Sequence, residues 1–112
     1  MLGAGDLRDR ITFQKRGEDE NGDPLGGWDD QFARSARLTW LRGSESVMAS
    51  RLEGKQPVVI TVRACSQTRL IDGSWRAVNA RDDRQKFNIT AASPAKERGF
   101  IDILAVMGGA TG

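Results

Sequence analysis

Apolar side chains recur at every second position along most of this chain, a period that β-strands have and helices lack. The clearest run sets Val58, Ile60, Val62 and Ala64 on one face against Val59, Thr61 and Arg63 on the other. Leu7, Ile11 and Phe13 share a face in an earlier run whose other face carries Arg10, Thr12 and Gln14. Trp28 and Phe32 lead into a third, where Ala36, Leu38 and Trp40 point inward and Arg37 and Thr39 outward. Trp75, Ala77 and Val78 mark a short run, and Phe87, Ile89 and Ala91 begin another. Phe100 to Met107 is apolar on both faces except at Asp102, which predicts burial on both. One stretch breaks the pattern. After an N-cap at Ser44 and a first-turn Glu45, Val47, Met48, Arg51 and Leu52 follow helical spacing until Gly54 and Pro57 end it. Ser66 to Gly73 reads as turn or short helix. Six short strands and one short α-helix in 112 residues predict a mainly β fold, a small antiparallel barrel or closed sandwich. It forms a single domain over residues 1–112, with a frayed tail at 108–112.

Charge is unevenly placed along this pattern. Between Gly17 and Asp30 the chain carries six acids (Glu18, Asp19, Glu20, Asp23, Asp29, Asp30) and no base, in a stretch punctuated by Gly and Pro. Lying between two strands, it predicts a long exposed hairpin loop, centred on residues 17–27, and long loops in small domains draw attention to function. Net charge is +2, yet residues 31–112 hold thirteen bases against seven acids. A basic body with one acidic loop suits a protein that meets copies of itself or a polyanion.

Chemistry is constrained by what is missing. With no histidine, the usual general base at neutral pH and the commonest zinc ligand are absent, and Cys65 is the one cysteine. No intrachain disulfide can form, and Cys65 reads as a small buried apolar residue. A calcium loop from Asp19 would use Asn21 and Asp23, but Pro24 occupies the position that needs glycine, Asp30 ends it, and strands flank it. Gly54-Lys55 lacks the rest of a phosphate loop. Ser44, Ser46 and Ser50 have no evident base, and Asp29-Asp30 and Asp82-Asp83 are adjacent residues that face opposite sides of a strand. The expectation is therefore a protein with no enzymatic activity, metal or cofactor. The first residues have no apolar signal core, and no apolar run approaches a membrane span, so a soluble, untargeted protein without membrane contact is expected. Arg37, Arg63, Arg76, Arg81 and Arg84 could follow a phosphate backbone, which makes a monomeric nucleic-acid-binding barrel the alternative reading. The chain has no Tyr, and its Trp and Phe fall mostly on inward positions, so base-specific recognition is not expected.

The order of elements resembles the phage head-tail joining proteins. Leu7, Arg8, Arg10, Ile11, Thr12 and Gln14 match the family's first strand, Asn21-Gly22 and Trp28 its acidic hairpin, Gly43, Glu45 and Ala49 its strand end and helix, and Ile60 to Arg63 its Arg-bearing strand. Phe87 to Ile89, Arg98 and the last apolar strand follow in the same order. The resemblance implies a small β-barrel that forms a six- or twelve-fold homo-oligomeric ring beneath the portal, in the neck of a virion or phage-like particle, after assembly in the host cytoplasm. It implies portal-side adaptor and tail-side proteins as partners, and duplex DNA passing without sequence specificity. On this reading Glu18, Asp19, Glu20, Asn21 and Asp23 face the channel or a partner, and the five arginines serve ring contacts or face DNA.

Overall fold

The strands close on themselves. A computed structural model describes residues 7–18, 21, 24–42, 48 and 54–108. Its strands are β1 (Asp9–Glu18), β2 (Pro24–Trp40), β3 (Gln56–Arg63), β4 (Arg76–Asn79), β5 (Asp82–Pro94) and β6 (Phe100–Met107). They form a closed antiparallel barrel in the order β1-β2-β3-β6-β5-β4, with β4 returning to β1. Closure gives each strand two neighbours, which is how a small all-β chain avoids open sheet edges.

The predicted inward faces fill the interior. Ile11, Phe13, Ala36, Val58, Ile60, Val62, Phe87, Ile103 and Ala105 are fully buried. At about 1.5–3 kcal/mol for each large apolar side chain removed from water, this set drives folding. Phe32 bridges Phe13 and Trp75 with ring centroids 5.6 and 5.7 Å away, and Trp40 lies 6.0 Å from Phe87. Asp102, the exception in β6, faces Thr61 across the β3–β6 ladder, and the buried Thr61 hydroxyl donates to its carboxylate at 2.7 Å.

Several expectations need correction. The outer face of β6 is not buried, for Leu104 is 41% exposed. The acidic hairpin is mostly strand: β1 runs through Glu18 and β2 begins at Pro24, so Asp29 and Asp30 pair with Lys15 and Gln14. Pro24 is tolerated because the first position of a strand demands no N–H. Ala91 pairs with the outward Leu104, since a bulge at Thr90 shifts the register after Ile89. The helix predicted after Ser44 lies outside the described residues apart from Met48, which is helical, and so does the tail beyond Gly108.

The segment from Ser66 to Gly73 contains a 3-10 turn, Thr68–Leu70. Thr68 is fully buried there, accepting from the Cys65 amide at 2.8 Å. Its one hydroxyl proton has three acceptors in reach: the Arg63 carbonyl at 2.8 Å, the Cys65 carbonyl at 3.3 Å and the Cys65 Sγ at 3.5 Å. Cys65 is thus half-buried beside polar groups rather than an apolar core residue. Bonding from the Thr68 hydroxyl, then from its amide, lowers the thiol to about 7. A few residues on, Gly73 leans against the β5 bulge, where a Cβ would stand 2.8 Å from the Thr90 carbonyl oxygen.

Two outcomes follow from this packing. Gly73→Ala lowers stability in urea unfolding by about 1–3 kcal/mol, because backbone must shift, while Gly27→Ala, which meets nothing within 4 Å, stays near neutral. Alkylation of Cys65 reaches half its maximal rate near pH 7, and Thr68→Val moves that midpoint upward while Thr68→Ser keeps it. Because the folded state favours the thiolate, the same contacts add stability as pH rises from about 7 toward the ordinary thiol range, and that gain is lost below.

Candidate functional site

β1 and β2 are longer than the barrel needs. β1 pairs with β4 only over Ile11–Gln14, and β2 pairs with β3 only over Ala36–Trp40. The ladder between β1 and β2 nevertheless continues through Lys15–Asp29 and Arg16–Trp28 to Glu18–Pro24. Among the described residues, this outer part is a two-stranded ribbon that leaves the barrel rim and carries the acidic connection at its tip.

The root of the ribbon is fixed on both faces. On the outer face the Gln14 amide Nε2 donates to Asp30 Oδ1 at 2.7 Å, and its Oε1 accepts from Arg76 Nε at 2.9 Å and Nη2 at 2.7 Å. Beside this chain Trp28 carries two guanidinium groups over its ring, Arg76 at 4.6 Å and Arg16 at 4.9 Å from the centroid. Burial, reinforced by Arg16, pulls the Arg76 guanidinium below its ordinary value while Asp30 opposes the shift. It remains a cation throughout the physiological range. On the inner face, Lys15, Gln31 and Phe32 meet Leu70, Asp72 and Trp75 around a cleft of about 310 Å³. Asp72 is set by an Asx turn, its carboxylate accepting from the Ser74 amide at 2.8 Å and hydroxyl at 2.5 Å, and these bonds lower it below the usual carboxylate range.

Of the loop residues expected to face the channel or a partner, Glu18 ends the ribbon's ladder opposite Pro24, and Asn21 is exposed in the turn. Asp19, Glu20 and Asp23 lie outside the described residues. The five arginines are dispersed. Arg37 is exposed on the outer face of β2 opposite Thr61, and Arg63 covers the Phe100 ring at 5.5 Å at the far end of β3. Arg81, in the β4–β5 turn, and Arg84, at the start of β5, lie at the opposite end of the barrel. There Arg81 donates to the Arg8 carbonyl at 2.9 Å, and the largely exposed Arg84 pairs with Asp82 at 3.1 Å. Of the five, Arg76 in β4 alone reaches the ribbon root.

Sequence reasoning missed Gln14, Arg16, Trp28 and Asp30 as a unit. Trp28 and Phe32 are four apart and would share a face of an unbroken strand. The register shift that opposes Phe13 to Phe32 but Gln14 to Asp30 leaves Gln31 as the extra residue and turns Trp28 outward. Only the pairing partner reveals such a shift.

The barrel is similar to a protein of Shigella flexneri 2a determined in solution, at 25% identity and a TM-score of 0.64, over 98% of this chain and 100% of that one. It is also similar to a chain in the virion of a native gene transfer agent particle, at 19% identity and a TM-score of 0.57, over 87% of this chain and 90% of that one. No curated protein matches. Residues 2–108 match the phage head completion protein family; with that match spanning nearly the whole chain, the protein belongs to this family of structural phage components.

Proposed function

We propose that the chain works at the head-tail interface of a phage or phage-like particle, as one subunit of a ring below the portal that joins the DNA-filled head to the tail. The observation that carries this reading is the ribbon: a closed barrel needs no strand beyond its rim, yet β1 and β2 extend past it with acids at the tip. Family membership supports a structural role in the phage head, and the gene transfer agent chain shows the same fold at work inside a particle. In a ring each subunit offers its neighbours two different surfaces, so an acidic ribbon and a basic body can complement each other without a two-fold axis.

Two placements of the tip fit this role. Lining the channel, Glu18, Asp19, Glu20 and Asp23 repel the DNA backbone and let the duplex slide; docked on a protein, they meet bases. Portal-side and tail-side proteins are the expected axial partners. The alternative of a monomeric nucleic-acid binder gains no support from the dispersed arginines, of which Arg76, Arg81 and Arg84 are already bonded within the chain.

Replacing Glu18, Asp19, Glu20 and Asp23 together with Ser leaves the barrel folded and reduces the yield of particles that retain DNA. Particle counts and nuclease-protected DNA measure this, and unchanged assembly with unchanged DNA retention contradicts the role assigned to the tip.

A further inference from the structure

At the end of the barrel where β3 and β5 finish, the β3–β4 connection and the β5–β6 hairpin leave a groove of about 430 Å³ between them. Its floor is apolar, with Ile71, Pro94, Phe100 and Ile101 among the lining residues, and Arg69 stands in its wall. The rim is basic. Arg63 lies over the ring of Phe100, and Lys96 and Arg98 occupy the five-residue hairpin turn that borders the groove, where Glu97 is the one acid. Arg63, Arg69, Lys96 and Arg98 are all exposed, so their charge reaches a partner.

We infer that this groove receives the acidic hairpin tip of a neighbouring copy of the chain, residues 18–25. The match is twofold. The segment E-D-E-N-G-D-P-L places four acids immediately before Pro24 and Leu25, so an acidic stretch that ends in two apolar residues faces a basic rim around an apolar floor. Opposite charges at a rim steer encounter and fix register, while the apolar floor removes surface from water. The donor segment and the acceptor groove are different surfaces of one subunit, the head-to-tail geometry that closes into rings. This deepens the ring reading above and rests on it.

Charge reversal in two separate chains tests the pairing. The tip variant carries Glu18→Lys, Asp19→Lys and Asp23→Lys, and the groove variant carries Arg63→Glu, Arg69→Glu and Arg98→Glu, all three at exposed sites outside the core. In sedimentation velocity at low salt the unmodified chain self-associates, and each variant alone does so about tenfold more weakly or less, because like charges then meet. An equimolar mixture regains association, since each tip again faces a groove of opposite sign. Undiminished association of both single variants, or a mixture that stays apart, overturns the groove assignment and leaves the ring intact. An unmodified chain that stays monomeric at every concentration in low salt overturns the groove assignment, and if a ring is also absent from particle necks the ring reading falls with it.

Discussion

Closure of the barrel rests on its shortest ladder. β4 spans four residues, Arg76–Asn79, and holds β1 from Ile11 to Gln14 on one side and β5 on the other. Without it β1 and β5 would both present open edges, and the interior built around Ile11, Phe13, Ala77 and Phe87 would face water. Ala77 sits at the centre of this seam, opposite both Phe13 and Phe87 and fully buried, where a larger side chain would force the two rings apart. The brevity of β4 also sets what lies outside. It satisfies only the first part of β1, so everything from Lys15 onward must leave the barrel as a ribbon. The bond from Arg76 to Gln14 ties the seam to the root of that ribbon, and the Trp28 ring caps it. Closure and projection thus share the same few side chains.

How much of this was legible in the sequence depended on parity. β3 was plain because Val58, Ile60 and Val62 alternate without interruption and the strand has no register shift. Where a bulge enters, alternation reverses without any mark in the chain: Gln31 turns Trp28 outward, and Thr90 turns Ala91 outward. Strand ends were also hidden. Gly17, Pro24, Gly26 and Gly27 read as loop by propensity, but the cross-strand pairs Lys15–Asp29 and Arg16–Trp28 carry the ladder past them. Cys65 looked apolar because nothing local announces Thr68 as its partner. The family, by contrast, was legible from the order of weak motifs along the chain, and the match over residues 2–108 bears it out.

The candidate site holds its charges in contacts that make a projecting element stiff at its root. An arm of this sort suits assembly, since a pre-set root lowers the conformational entropy that docking would otherwise cost. In the proposed ring, the acids at its tip and the bases around the groove would give direction to contacts between like subunits, with the exposed Leu104 to one side.

Hydrogen exchange compared between the free chain and the assembled particle tests this account most directly. The account predicts that amides of β3, β6, the inward part of β1 and the ribbon root around Trp28 and Asp30 are protected in both, whereas those of the outer ribbon, residues 17, 18 and 25–27, exchange quickly in the free chain and become protected in the particle. Outer-ribbon amides that exchange equally fast in both states, or that are already as protected as the barrel in the free chain, would contradict it.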